Sequence, residues 1–303
     1  MIVLNYRIKI DTAGYFLTLV PIGDEHFEGR TTNKNEILQL KTGIKEARQY
    51  FKSPLGFIKL GDEFEFSRKS FDDEMHKVGK ASDRVGYEDA GRHMVNRIVD
   101  NYKDMVSPKD LKLAAVSGNH KINFTFGQKE YSELLEGKKP ALNSSHLLAN
   151  RLGFPYCGDG HALICIKCQI GRSTARAYKI LILHGNGKGA SPEADLKEFK
   201  KIVTMYGHID MVIKAHSHKP MTTHFGRFNT DSMIDGVVSV QETTVINIGS
   251  MRGSMAMGHT DYGEKAEYAP IPTRWPMVAL KWVSHSTYKG KGRGEIRAIP
   301  ITF

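Results

Sequence analysis

The sequence predicts a layered α/β fold, and three observations lead to that prediction. Short, uninterrupted apolar runs of strand length recur along the chain, and each ends abruptly in glycine and polar residues. Such runs are typical of strands that are buried on both faces. Stretches with helical periodicity lie between them, so strands and helices alternate. Hydrophobic residues make up 40% of the 303 residues, and together with 29 glycines this is normal for a globular protein.

The elements follow from these patterns in chain order. Five apolar runs predict strands at Tyr15–Ile22, Phe57–Leu60, Leu111–Val116, Tyr178–Leu183 and Met211–Ile213. Four periodic stretches predict helices: Asn35–Phe51, Tyr87–Val106, Asn143–Leu152 up to a stop at Gly153, and one that starts at Ser191-Pro192 and stops at Gly207. After residue 236 the pattern is mostly strand, at Val237–Val240, Thr243–Ile248, Met277–Val283 and Glu295–Ile301. No stretch resembles a linker, so we expect one domain over 1–303 with a basic C-terminal strand and loop extension from about 274 to 303.

The N-terminal segment and the cysteines predict the compartment. Met1 to Phe16 is interrupted by charged residues and lacks the apolar region of a signal peptide. No run approaches the ~18 apolar residues of a membrane span. Three cysteines, an odd and sparse set, do not form a secreted disulfide framework, and we expect Cys165 and Cys168 to be packed thiols in a strand. We therefore expect a cytoplasmic protein with no membrane partner.

The charge of the chain bears on its partners. The formal net charge is +10 and the pI is about 9.3. This fits a nucleic-acid partner, through attraction to backbone phosphates, and it equally fits a soluble enzyme whose charge only keeps it dispersed. The basic, glycine-rich segment Tyr288–Gly294 either follows a phosphate backbone or forms a solvated hairpin loop.

Five predicted strand ends carry side chains that bind metals. In open α/β sheets, function collects at the carboxyl ends of the strands. The residues at these ends are Asp24, His26, Asp62, Asn119, His120, His184, His216 and His218. They offer oxygen and imidazole nitrogen but no thiolate, which suits Mn, Fe, Zn or Ni better than a structural cysteine-rich zinc site.

The spacing of these residues strengthens the metal interpretation. Asp24 and His26 are two positions apart, as are His216 and His218, so on an extended backbone both members of each pair project to the same side. Two metals about 3.5–4 Å apart share a bridging carboxylate, for which Asp62 is the natural candidate. Each motif alone is explained by a turn, a loop or a buried histidine, but a coincidence of all five in this order is improbable.

Together, these motifs resemble the calcineurin-like metallophosphoesterase superfamily. The resemblance rests on Asp24-x-His26, Gly61-Asp62, Gly118-Asn119-His120, the single His184 and His216-x-His218, and also on the strand segment Val245 to Ser250. It spans about residues 15–250. It implies a four-layer α/β/β/α sandwich with a dinuclear metal centre, in which Mn is the first expected metal and Fe, Zn, Ni or Mg are alternatives.

The resemblance also implies a role for each site residue. It implies Asp24, His26 and His218 on one metal, Asn119, His184 and His216 on the other, and Asp62 between them. His120 would lie beside the centre, contact substrate and protonate the leaving group. The two cations would neutralise the charge of a phosphate ester and lower the pKa of a bridging water to give hydroxide near neutral pH.

The sequence also departs from the family pattern at three positions. Lys121 stands where the family commonly has an acidic residue, Ala215 where it has glycine, and Glu65 where Asp or Asn is usual. None of these removes a metal ligand. The arginine-containing signature of protein phosphatases is missing after Asp62, and Gly61 to Glu65 looks more like the DNA-repair exonuclease branch.

The sequence therefore predicts a metal-dependent phosphoesterase that acts on phosphodiester bonds of nucleic acid. The alternatives are a phosphomonoesterase acting on nucleotides or phosphoproteins, and a non-catalytic scaffold with this fold. A nucleic-acid-binding protein without chemistry would explain the charge but not the ordered set of ligands. The oligomeric state stays open, with a homo-oligomer as one outcome.

Overall fold

A computed structural model describes residues 1–11, 13–27, 34–64, 84–121, 123, 143–170, 173–185, 192–217, 219–234, 237–249, 276–285 and 293–302. These residues form eleven strands: β1 Ile2–Lys9, β2 Gly14–Ile22, β3 Leu55–Lys59, β4 Leu111–Ala115, β5 Ala162–Ile170, β6 Ser173–Leu183, β7 Met211–Lys214, β8 Met221–Ile234, β9 Val237–Asn247, β10 Pro276–His285 and β11 Arg293–Thr302. They also form four helices: α1 Lys34–Phe51, α2 Arg84–Lys103, α3 Ser144–Leu152 and α4 Pro192–Tyr206.

The strands form two mixed sheets. The first has six strands in the order β1-β5-β6-β7-β9-β8, and the second has five in the order β11-β10-β2-β3-β4. Within the second sheet β2, β3 and β4 are parallel, whereas β10 runs antiparallel to both of its neighbours. Within the first, β6, β7 and β9 are parallel. The fold is thus mixed α/β, the class that the alternation of strands and helices predicts.

Three hydrophobic clusters hold these elements together. One joins the two sheets, with Leu19 and Ile58 from the second sheet beside Ile180 and Ile213 from the first. Another packs α1, α2 and α3 on the second sheet, and a third packs α4 on the first through Phe199. Because the central strands have an apolar cluster on each side, their sequences are continuously apolar.

The parallel strands set the position of the polar loops. The carboxyl ends of β2, β3 and β4 lie at one edge of their sheet, with Lys59 paired to Ile22 and to Ala115. In the other sheet Lys214 pairs with Leu183 and with Asn247 at the ends of β6, β7 and β9. The residues that follow these ends are therefore brought together, as expected for open α/β sheets.

Most of the predicted elements are confirmed within a few residues at each end. The Asn143 side chain caps α3 by accepting a hydrogen bond of 2.8 Å from the backbone N–H of His146, and Gly153 ends the helix in the left-handed conformation. The prediction of separate strands at Val237–Val240 and Thr243–Ile248 is wrong, because β9 continues through Gln241 and Glu242, which pair with β8. The sequence analysis missed β1 and β8.

The C-terminal strands belong to the second sheet. β10 pairs with β2 as well as with β11, and Trp282 packs on the cluster between the sheets. Lys281 lies 5.1 Å from the ring centre of Tyr15, a cation–π contact. Arg274, Trp275, Lys289 and Lys291 of the predicted basic extension lie outside the described residues. In the part of the chain that the structure describes, no helix is long and apolar enough to cross a membrane.

Candidate metal centre

The loops after β2 and β3 are joined to each other by backbone hydrogen bonds. The N–H of Asp24 donates to the carbonyl of Gly61 at 3.0 Å, and that of His26 donates to the carbonyl of Asp62 at 3.1 Å. A third bond of 2.9 Å connects Phe27 to Glu63. These bonds fix the backbone from which Asp24, His26 and Asp62 project.

Two glycines allow the loops after β3 and β4 to approach. A Cβ on Gly61 would lie 2.1 Å from the backbone nitrogen of Gly118, and a Cβ on Gly118 would lie 1.9 Å from Oδ1 of Asp62. Both distances are far inside van der Waals contact, so any side chain there would push the loops apart. The glycines of Gly61-Asp62 and Gly118-Asn119-His120 are thus needed for this contact.

Left-handed backbone conformation is concentrated at the candidate ligands, so the extended backbone expected for Asp24 and His26 is wrong. The φ angles are 53° at Asp24, 47° at His26, 51° at Asp62 and 75° at His216. Among the described residues, the one other non-glycine residue with positive φ is Lys52. This conformation costs roughly 1–3 kcal/mol at a non-glycine residue and is typically kept where function requires a side chain to point in a set direction.

His184 directs one ring nitrogen toward a set of acceptor atoms. Its Nδ1 lies 2.6 Å from the carbonyl oxygen of Leu60, which accepts the Nδ1 proton. In the neutral imidazole Nε2 is therefore an acceptor. Yet Nε2 lies 2.9 Å from Oδ2 of Asp62, 3.0 Å from Oδ1 of Asn119 and 2.9 Å from Nδ1 of His216. Lone pairs that converge in this way require either an added proton or a cation.

The pKa values of His184, Asp62 and Asp24 are shifted by the same convergence of acceptor atoms. Burial lowers the pKa of His184, but the hydrogen bond to Asp62 and the charges of Asp24 and Asp62 outweigh it and raise the pKa to about 9. Burial raises the pKa of Asp62, but the hydrogen bonds from His184 and His216 hold it well below its usual range. Burial raises the pKa of Asp24 to about 6 against the opposing charge of His184. The same close approach of His184 to two carboxylates thus raises the pKa of the imidazole and lowers that of Asp62.

Two groups of side chains can hold a metal ion, and they share one carboxylate. Asp24, His26 and Asp62 form one group, and Asp62, His184 and His216 form the other, with the ligand atoms of each group within 4.8 Å of one another. Asp62 is 1% exposed and belongs to both. Oxygen and imidazole donors without thiolate suit a divalent ion of intermediate hardness.

The remaining predicted site residues lie around these groups, with one outside the described residues. Asn119 adjoins the second group through its contact with His184. The backbone N–H of His120 donates to Oδ1 of Asp62 at 2.8 Å, and its ring meets that of His26 edge to face with centroids 5.1 Å apart. His218 lies outside the described residues, as do Glu65 and Ser250 of the resemblance.

The sequence analysis did not identify a buried lysine next to the group formed by Asp24, His26 and Asp62. Nζ of Lys59 lies 3.3 Å from Oε1 of Glu25 and 3.5 Å from Oε1 of Glu63, and it also contacts the hydroxyl of Tyr102. Ser145 donates to the other oxygen of Glu63 at 3.1 Å. Burial raises the pKa of Glu25 to about 7 although Lys59 opposes the shift. This network ties the two ligand loops to the end of β3.

A second buried lysine lies behind the other group. Lys214, the last residue of β7, is 0% exposed and lies 3.0 Å from Oδ1 of Asp195 on α4, where it also contacts Glu198. His216 follows two residues later, and its backbone N–H donates to Asp24 at 2.6 Å. The signal in the sequence is the same in both cases: a lysine that ends an apolar strand.

Comparisons with known proteins add little to this geometry. No family model and no curated protein matches the sequence. Among solved structures, Vps29 of Chaetomium thermophilum is similar at 13% identity and a TM-score of 0.34, over 96% of this chain and 98% of that chain. A protein of unknown function from Aquifex aeolicus is similar at 14% identity and a TM-score of 0.32, over 67% and 80%. These scores are too low to establish a shared function.

Proposed function

We propose that this chain is a phosphoesterase of the calcineurin-like metallophosphoesterase superfamily that works with two divalent metal ions. The observation that carries the proposal is the sharing of Asp62 between two groups of metal-binding side chains. One carboxylate between two cations is the arrangement expected of a dinuclear hydrolytic site. A lone structural metal would require neither the second group nor the shared carboxylate.

The donor set fits such a pair of ions. Asp24, His26 and Asp62 would hold one ion, and Asp62, Asn119, His184 and His216 would hold the other. His218 is proposed for the first ion on the resemblance alone. When bound, the ions, of which Mn is the first candidate, neutralise phosphate charge and lower the pKa of coordinated water.

The chain's own residues have separate tasks in this proposal. The carbonyl of Leu60 holds the Nδ1 proton of His184, so Nε2 is the nitrogen that faces the site. Asp62 supplies negative charge to both groups. His120 lies beside the first group and donates a proton to the leaving oxygen, which leaves as an alcohol.

The packing supports the proposed four-layer arrangement. A hydrophobic cluster joins the two sheets, and further clusters join helices to the outer face of each sheet. We propose that these are the α, β, β and α layers of the family, with the metal centre at the strand ends between the inner layers.

We propose that the substrate is nucleic acid and that the protein acts in the cytoplasm. The net charge of +10 supports this proposal because it attracts a polyanion. Nucleic acid is a polyanion that contains phosphodiester bonds. Three lysines, Lys197, Lys200 and Lys201, lie together on the exposed side of α4. A phosphomonoesterase is the competing function, and it requires no extended positive surface.

The direct test compares a diester and a monoester of one leaving group. The metal-free protein is reloaded separately with Mn, Ni, Zn and Mg and assayed on bis(p-nitrophenyl) phosphate and p-nitrophenyl phosphate. We expect turnover that depends on the metal and a higher kcat/KM for the diester. Preference for the monoester would favour the phosphomonoesterase function. No turnover with any metal would favour a non-catalytic scaffold with this fold.

Replacing His120 with Ala is expected to lower kcat by roughly 10²–10⁴ while both metals stay bound. The loss should shrink for esters with activated leaving groups, since these need less protonation. His208, which contacts Gln241 away from the candidate ligands, provides the matched control as His208→Ala. Loss of metal from the His120 variant would show that His120 is a ligand and does not act as an acid.

A further inference from the structure

A cavity of about 230 Å³ opens beside the second metal-binding group. It lies between the loops that follow β4 and β6 and the segment that leads into β5. Its polar walls among the described residues are Ser117, Asn119, Lys121, Asp159, His161 and His184. The volume is smaller than the ~300–1,000 Å³ of cavities that enclose drug-sized ligands, so it suits one small polar group.

This cavity is continuous with the candidate metal centre. Asn119 and His184 line it, and their side chains also meet each other at 3.0 Å in the second metal-binding group. A substrate whose phosphorus lies at that group would therefore direct part of its unreacted structure into the cavity. The chemistry of the walls then decides which substrates fit.

Lys121 is the one side chain of fixed positive charge among the described walls. Its side chain is 15% exposed, and Nζ lies 2.6 Å from Oδ2 of Asp159. The side chain of Asp159 is 60% exposed, and it also accepts a hydrogen bond of 3.3 Å from the hydroxyl of Tyr156. A carboxylate with that much solvent keeps its hydration when Lys121 leaves it, so the pair is easily exchanged for another anion.

Of the other titratable walls, His184 belongs to the second metal-binding group and is assigned to the proposed ion, so it is not the partner of a second anion. Burial lowers the pKa of His161, which favours the neutral ring, and its Nδ1 contacts the hydroxyl of Tyr206. Gly118, Gly160 and Gly185 contribute no side chain. Asp159 alone would repel an anion, so a cavity lacking Lys121 would favour a neutral group.

We propose that this cavity binds a second anionic group of the substrate, a phosphate next to the one that is cleaved, and that Lys121 determines this specificity. The inference rests on the proposed phosphoesterase function and narrows its substrates to those with neighbouring phosphates. The second phosphate exchanges with Asp159 as the partner of Lys121, and no bond is made or broken there. A nucleic-acid chain and a small nucleotide with two phosphates share this chemistry.

Three substrates with one leaving group test the proposal. The first is the p-nitrophenyl diester of thymidine monophosphate, which has one phosphate. The second carries an additional free phosphate on the other sugar hydroxyl, and in the third that phosphate is esterified to a further nucleoside. They are assayed with the wild type, Lys121→Gln, Lys121→Arg and the control Lys103→Gln, which removes an exposed lysine paired with Asp100.

We expect Lys121→Gln to raise KM by about tenfold or more for substrates with two phosphates and to leave the one-phosphate substrate unchanged. Lys121→Arg should retain most of the preference for substrates with two phosphates. Lys103→Gln should leave KM unchanged for all three substrates. An effect on the esterified second phosphate indicates a nucleic-acid substrate, and an effect confined to the free phosphate indicates a small nucleotide. Equal changes on all three substrates, or no change, would overturn the proposal.

Equilibrium binding separates failure of this inference from failure of the proposed function. Calorimetric titration in the presence of Mn compares thymidine bisphosphate with thymidine monophosphate. If the wild type hydrolyses none of the esters, the phosphoesterase function is wrong. The cavity proposal then stands if the bisphosphate binds at least about tenfold tighter and Lys121→Gln removes that advantage, and it falls if the two ligands bind equally.

Discussion

Replacing Asp62 with Asn is expected to lower the content of both metal ions and to reduce turnover by roughly 10³-fold or more. The substitution keeps the shape of the side chain, and an amide oxygen still accepts the hydrogen bond from the N–H of His120. What it removes is the negative charge that the two metal-binding groups share. Metal content per chain by inductively coupled plasma mass spectrometry, together with kcat on a diester, measures both effects.

The matched control is Asp195→Asn. Asp195, on α4, is also a buried carboxylate, but it pairs with Lys214 of β7 and belongs to neither metal-binding group. The Asp195→Asn variant should retain both metal ions and most of the wild-type turnover. If Asp62→Asn instead keeps the wild-type metal content and activity, the bridging role of Asp62 is wrong.

Replacing Lys59 with Met is expected to lower the free energy of unfolding by about 3–5 kcal/mol. Lys59, Glu25 and Glu63 are all at most 1% exposed, so the substitution leaves two buried carboxylates without their cation. The midpoint of urea unfolding measures the loss. Lys41→Met is the control, because Lys41 pairs with the exposed Asp104 and the expected loss there is below about 1 kcal/mol.

A triple variant distinguishes charge from packing in this network. Combining Lys59→Met with Glu25→Gln and Glu63→Gln removes the uncompensated charges and should restore part of the lost stability. If the triple variant is less stable than Lys59→Met alone, the loss comes from the packing of Lys59 against Tyr102 and the buried-charge explanation is wrong.

The sequence predicted the central strands but missed two at the edges of the first sheet. The central strands are buried on both faces, so each is a continuous apolar run. β1 has one face to solvent, and its inward residues Leu4, Tyr6 and Ile8 alternate with exposed ones, which obscures the apolar signal. β8 is the other edge, and its polar sequence pairs with β9 alone among the described strands.

The candidate ligands were accessible to sequence analysis because each follows an apolar strand. Their partners were not, because these depend on contacts between distant segments. The acceptor for His184 is the backbone carbonyl of Leu60, which no side-chain pattern reveals. Lys59 and Glu25 look like solvent-facing residues until β2 and β3 are paired and α2 covers them.

The metal stoichiometry of the wild-type protein tests the central claim most directly. Metal-free protein is titrated calorimetrically with Mn, and the bound metal is then counted per chain by mass spectrometry. The shared carboxylate of Asp62 predicts two ions per chain, with proton release because histidine and carboxylate side chains bind metals in their deprotonated forms. A protein that binds no Mn, Ni, Zn or Mg, or a single ion that Asp62→Asn leaves in place, would contradict the dinuclear centre.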